Sequence, residues 1–174
     1  AAVEFTLGRP GGQIASCAGC QEGRAIYRIT AGDGRSTEQL VEAGNYAYAH
    51  SCVTSENFPA RHFGARRVRE IILLEFDYDV TSAEAMAEAA QLGLEPPMYE
   101  DALYFGIEYP DVQRERPVVF LHDPWFGFFG RRDVLCLWSN AGRRELGLEG
   151  FDDPWSRNYR FAFVSPQSRL GAPA

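Results

Sequence analysis

The order of patterns along this chain predicts an α+β protein in which two helices pack on a mostly antiparallel sheet. Three observations carry that prediction. Arg69 to Asp77 has an unbroken apolar middle, Ile71 to Leu74, of the kind buried on both faces of a sheet. Residues 82–109 switch to a helical period, divided by Gly93 and the pair Pro96-Pro97. From Pro117 onward the strand period returns, in short runs separated by turn residues. The two helices are expected on one side of the sheet, with an N-terminal extension before them.

Each element follows in order. Residues 1–23, rich in Gly with Pro10, read as a loosely ordered arm. Ala25 to Thr30 is a strand, closed by the turn Ala31-Gly-Asp-Gly34. Ser36 or Thr37 caps a short helix, Glu38 to Ala43, that stops at Gly44-Asn45. Asn45 to His62 has no period; Tyr46, Tyr48 and Phe58 are expected to tuck into the core there. Ser82 caps the next helix, whose inner stripe is Ala85, Ala89 and Leu92 and which Gly93 ends. Met98 to Tyr109 is the second, with Leu103 and Ile107 inward and Pro110 as its stop. Strands follow at Pro117 to Leu121, Val134 to Trp138, Arg144 to Leu148 and Tyr159 to Val164. Val119, Leu121, Leu135, Leu137, Leu146, Leu148 and Phe161 should fill the core, with Trp125 and Phe151 beside them.

Composition narrows the function. The formal net charge is −7, the wrong sign for a nucleic-acid protein held by phosphate contacts. All 17 basic residues are Arg, which removes chemistry that requires a Lys amine, including P-loop and Schiff-base catalysis. The short clusters Arg66, Arg67, Arg69, then Arg131, Arg132 and Arg143, Arg144, are diluted by acids and read as solvated surface. No apolar run approaches the roughly 18 residues of a membrane span. Four cysteines fit either redox environment and assign no compartment.

Reactive and metal-binding motifs are sparse. Cys17-x-x-Cys20 with His50 and Cys52 makes a four-ligand zinc set, and so an alternative reading as a zinc-dependent interaction module. His-x-Cys is a poor second pair, so no metal and no cofactor are expected. Asp77, Asp79, Asp152 and Asp153 offer oxygens for calcium but lack the Gly and terminal Glu of an EF-hand loop. His122-Asp123 is the one base-and-orienter candidate, and the basis of an alternative reading as a small hydrolase or transferase. Neighbouring strand residues face opposite ways, which argues against their pairing. No catalytic residue is assigned.

The aromatic residues point elsewhere. Trp125, Trp138 and Trp155 all fall in the last third of the chain. Phe126-Gly-Phe-Phe-Gly130 places three rings in one turn, and Asp152 to Tyr159 sets Trp and Tyr among small polar residues. Turns lie at the surface, and stiff rings give contact area at low entropic cost. The pattern is that of a displayed recognition surface.

From about Asn45 to Val164, roughly two-thirds of its length, the chain resembles the variable proteins of diversity-generating retroelements, in particular the small C-type-lectin-fold ones from uncultivated bacteria. The likeness lies in Thr54-Ser-Glu-Asn-Phe-Pro59, in the strand Glu70 to Asp77, and in Thr81-Ser82 with the helix ending at Leu92-Gly93. It continues in Glu95-Pro-Pro-Met-Tyr-Glu-Asp-Ala-Leu103 and Tyr109-Pro-Asp-Val-Gln-Arg-Glu-Arg-Pro-Val-Val119. Trp125, Gly130, Arg132, Val134, Leu137, Leu146, Leu148, Phe151, Trp155 and Tyr159-Arg-Phe161 keep the spacing of the family's C-terminal variable region. His122-Asp-Pro124 departs from the family's small residues, and Ala162-Phe-Val-Ser165 from its usual ending.

The resemblance implies a C-type lectin-like domain over 45–165, with an arm and small strand–helix extension over 1–44 and a flexible tail over 166–174. It implies a non-enzymatic, ligand-binding protein whose residues from about 120 to 164 are diversified by mutagenic reverse transcription at adenines. The implied contact residues are Phe126, Phe128, Phe129, Arg131, Trp138, Ser139, Asn140, Arg143, Glu145, Gly147, Glu149, Asp152, Asp153, Ser156, Asn158 and Tyr159. The partner expected is a protein or surface ligand, not a nucleic acid, with no membrane insertion.

Overall fold

The computed structural model describes residues 13–14, 24–61 and 66–166. Most of the arm over 1–23 and of the tail over 166–174, with Cys17, Cys20 and His62, lies outside the described residues. The described chain is mixed α+β. Its elements are β1 (Gln13–Ile14), β2 (Ala25–Ala31), α1 (Thr37–Ala43), β3 (Tyr48–Ala49), β4 (Arg67–Glu75), α2 (Ser82–Gln91) and α3 (Tyr99–Glu108). Then come α4 (Val112–Glu115), β5 (Val118–Phe120), β6 (Trp125–Phe126), a 3-10 turn at Phe128–Gly130, β7 (Arg132–Asn140), β8 (Arg143–Gly150) and β9 (Arg160–Ser165). All nine strands form one sheet in the order β1-β2-β4-β9-β5-β7-β8-β3, with β6 beside the start of β7. Pairing is antiparallel except between β5 and β9 and between β3 and β8. β4 and β9, strands about 90 residues apart in the chain, run side by side in the register Glu70↔Ser165 to Glu75↔Arg160.

The middle of the sheet is buried on both faces, as the continuous apolar run of β4 requires. On the back face Ile71, Leu135, Leu137, Leu146 and Val164 pack with Leu40 of α1, Leu103 and Phe105 of α3, and Phe58. On the front face Ile72, Leu74, Val119, Val134, Cys136, Phe161 and Phe163 pack with Ala85 and Ala89 of α2 and with Trp155. The expectation of both helices on one side is therefore corrected: α2 covers the front and α3 the back. A strand that is apolar on both faces needs cover on both. The chain crosses between the layers at Glu95, which exchanges both backbone hydrogen bonds with Val164 at 2.8 and 2.9 Å.

Local signals explain most boundaries. Ser36 caps α1 in a capping box with Gln39. Thr81, not Ser82, caps α2, again in a box with Glu84. Asp101 is buried in the first turn of α3, where it accepts from the Met98 N–H at 2.8 Å and from both arms of Arg69 at 2.9 and 2.7 Å. That bidentate pair fastens α3 to β4, and it raises the Arg69 pKa chiefly through the hydrogen bonds to Asp101. Tyr48, expected in the core, is exposed, because β3 is a two-residue edge strand with solvent on one side. α4 and β6 are too short to show a period in sequence.

Candidate functional site

The site is built on the β7–β8 hairpin. Its two-residue turn, Ala141-Gly142, has φ of 49° and 77°, and φ > 0 at both central residues suits the turns that match strand twist. The register Asn140↔Arg143, Trp138↔Glu145, Cys136↔Gly147, Val134↔Glu149 places those eight side-chain positions on the front face. Val134 and Cys136 are buried under the loop that follows; Asn140 and Arg143 are exposed, and Trp138, Glu145 and Glu149 are half-buried. Gly147 is buried and displays no side chain. A Cβ there would come 2.9 Å from Trp138 Nε1, so the indole reaches across to β8 between Glu145 and Glu149. Glu149 has its carboxyl pKa raised by burial, with Arg131 opposing and Asp133 and Asp153 adding to the rise. Burial and the nearby Glu149 also hold the Cys136 thiol well above its ordinary range.

The loop 151–159 borders this face and is firmly anchored. Trp155 is buried; its Nε1 donates to Ser82 Oγ at 2.8 Å, and Ser82 Oγ donates in turn to the Phe151 carbonyl at 2.6 Å. Val80 and Trp155 exchange backbone hydrogen bonds, and Asp79 accepts from the Arg157 N–H at 3.0 Å. Arg116 donates to the carbonyls of Asn158 and Arg157. These anchors leave Asp153, Ser156 and Asn158 exposed, and Tyr159 half-buried with its ring 5.3 Å from Trp155. The first turn of α2 thus holds this loop in place through Ser82. An open groove of about 600 Å³ lies beside this loop, between Phe76, Tyr78, Arg116 and Arg157.

At the far end, the turn after β6 carries Phe126, Phe128 and Phe129, which are 68%, 78% and 106% exposed. Phe129 has φ of 63°, a left-handed conformation that costs a bulky residue energy and that no packing contact forces here. Arg131 Nε lies 2.8 Å from Asp133, while Arg132 forks onto Asp152 and stacks 4.9 Å above Phe151. Asp152 is thus tied in an ion pair that lowers its pKa.

Most of the expected contact residues therefore lie along one front stripe, from the Phe turn through Glu149, Trp138, Tyr159 and Glu145 to Asn140 and Arg143, while Arg131 turns to the side of Asp133 and Gly150. Strand rise makes the β7 part of it about 27 Å long. Ser139 does not belong to it: it lies on the back face, where its hydroxyl is 3.4 Å from the Arg114 carbonyl. Gly147 serves the stripe only as the seat of Trp138.

Arg144, expected as solvated surface, is also placed otherwise by the structure. It is buried on the back face, not solvated, and donates to the carbonyls of Gly44 and Gly106 and to Gln113 Oε1. Its guanidinium lies 4.7 Å over the Tyr46 ring, and burial lowers its pKa. Gln113 donates onward to the carbonyls of Trp138 and Glu145 at 2.7 and 3.0 Å. Helix ends at Gly44 and Gly106 supply the acceptors, a partnership between distant segments that no local pattern announces.

The His122-Asp123 motif does not assemble, while two members of the cysteine–histidine set, Cys17 and Cys20, lie outside the described residues. His122 is buried; the Leu135 N–H donates to its Nε2 at 3.0 Å, so Nδ1 carries the proton and donates to the Asp123 carbonyl at 2.8 Å. Burial pulls its pKa down to about 4. Both nitrogens serve the backbone, and the Asp123 carboxylate does not orient the ring. His50 Nδ1 accepts from the Cys52 N–H at 3.2 Å. Among the described residues no group of three or more His, Cys, Asp or Glu side chains is placed to hold a metal ion. No helix among them is long and apolar enough to cross a membrane.

Comparison of the chain with family models, with curated proteins and with solved structures finds no match.

Proposed function

We propose that this chain is a non-enzymatic ligand-binding protein, a variable protein of a diversity-generating retroelement with a C-type lectin-like fold. A protein or an exposed surface ligand docks on the front stripe of β7–β8 and its flanking loops. The observation that carries the reading is the division of one hairpin. Its back face is sealed by Arg144, Gln113 and apolar core, while its front face presents Trp138, Asn140, Arg143, Glu145 and Glu149 with few partners of their own. A scaffold held from behind leaves the front free to change without loss of folding. The antiparallel pairing of β4 with β9, which closes the two ends of the domain on each other, supports the fold assignment. The buried, backbone-bonded His122 removes the geometric basis for the hydrolase alternative.

The test is genomic. A template repeat near a reverse transcriptase gene should match the codons for about 120–164 and differ from them only at template adenines. A locus with neither repeat nor reverse transcriptase overturns the retroelement reading.

A further inference from the structure

We propose that the front face of β7–β8 takes a basic protein segment, with an arginine or lysine side chain lying beside Trp138 and Tyr159 and against the carboxylates of Glu145 and Glu149. This rests on the display reading above and adds the chemistry of the partner. Trp138 stands opposite Glu145 and leans over Gly147, so its ring lies between two carboxylates on one strand. Ring faces attract cations, and a carboxylate on each side adds two charged acceptors for the same group. Tyr159 closes the patch from the anchored loop; burial raises its hydroxyl pKa, and the nearby Cys136 and Glu149 add to the rise.

The charge is uncompensated where it counts. Among the described residues the carboxylates of Glu145, Glu149 and Asp153 make no hydrogen bond or ion pair, whereas Arg131 is engaged by Asp133 and Arg132 by Asp152. Arg143, at the hairpin tip, is the one cation of the stripe without an ion-pair partner. Glu149 is half-buried, and burial, with Asp133 and Asp153 adding to it, disfavours its anion despite the opposing pull of Arg131. The net charge of −7 steers basic partners toward the molecule and repels anionic ones. Arginine in particular combines stacking on an aromatic ring with a fork that matches carboxylate geometry.

The experiment titrates the full chain with fluorescein-labelled nona-arginine and, in parallel, nona-glutamate. It is run at about 0.15 M salt, where exposed charges further apart than about 8 Å are largely screened. Nona-arginine should bind and nona-glutamate should not. Glu145→Gln with Glu149→Gln should weaken binding by about tenfold or more, and Trp138→Ala by about fivefold to tenfold. The charge-matched control, Glu42→Gln with Glu56→Gln on exposed segments over the back of the sheet, should change it by less than about twofold. Equal losses in the two double variants mean attraction by bulk charge alone and overturn the proposal, as do failure to bind nona-arginine and a preference for nona-glutamate. A template repeat at the locus without nona-arginine binding overturns the cationic partner alone; specific nona-arginine binding without the repeat supports the site and removes the retroelement reading.

Discussion

The two faces of the β7–β8 hairpin come from the same eighteen or so residues, alternate position by position, and meet opposite fates. Arg143 is exposed and Arg144, its neighbour, is buried. Leu137 has no exposed surface while Trp138 next to it is half open. Alternation alone would make both faces half-polar. The difference is what lies over each: α1, α3 and α4 close the back, and nothing among the described residues covers the front beyond Val134 and Cys136. The lesson is that display here is a property of the uncovered face, made affordable by a fully partnered one.

Variants on the two faces should separate by size. Leu137→Ala, at a position with no exposed surface, should cost about 3–4 kcal/mol in chemical denaturation, because the cavity lies between α3 and the sheet. Arg144→Ala should cost about 3 kcal/mol, since it strands the carbonyls of Gly44 and Gly106 and the side chain of Gln113, while Arg143→Ala stays within about 0.5 kcal/mol. Equal effects of the two arginine variants would erase the proposed division.

Acid should sharpen the comparison at the end of the back face, where His122 receives the Leu135 N–H. A histidine with its folded pKa depressed to about 4 contributes stability that is present above about 6.5, the unfolded value. That contribution is lost as pH falls from about 6.5 to 4, in all about 3 kcal/mol, because the unfolded chain takes the proton first. The slope of stability against pH in that window should flatten in His122→Gln; an unchanged slope would place the acid sensitivity elsewhere.

Smaller effects belong to the front. Tyr159→Ala, which removes a ring resting on Trp155, should cost about 1–2 kcal/mol, and Phe128→Ala should stay within about 1 kcal/mol. Phe129→Gly should stabilise by about 0.5–1 kcal/mol, since glycine accepts φ of 63° without strain, and should weaken ligand binding if that ring is part of the contact surface. Destabilisation by Phe129→Gly would mean that its ring packs on the fold.

Much of this molecule was legible in order. The α+β class, the doubly buried strand at 71–74, the cap of α1, the stops of α1, α2 and α3, and the long strands after Pro117 all follow from period and turn chemistry, which act over a few residues. The surface placement of Phe126, Phe128 and Phe129 was legible for the same reason, since a turn between strands has little to bury its rings. Short elements such as α4 and β6 were not, because two to four residues hold no period.

What remained was decided by contacts between segments distant in sequence. Nothing local distinguishes Arg143 from Arg144, or says that α2 and α3 take opposite faces, or that Ser82 spends its hydroxyl on Trp155 and Phe151 instead of a helix cap. Sequence by itself determined which residues alternate along β7 and β8, since side-chain direction is set by the backbone of a strand. Only the tertiary structure decided which half of that alternation is covered, because coverage depends on where three helices and a loop return in space, and burial is what turns one arginine into a scaffold and leaves the next one for a partner.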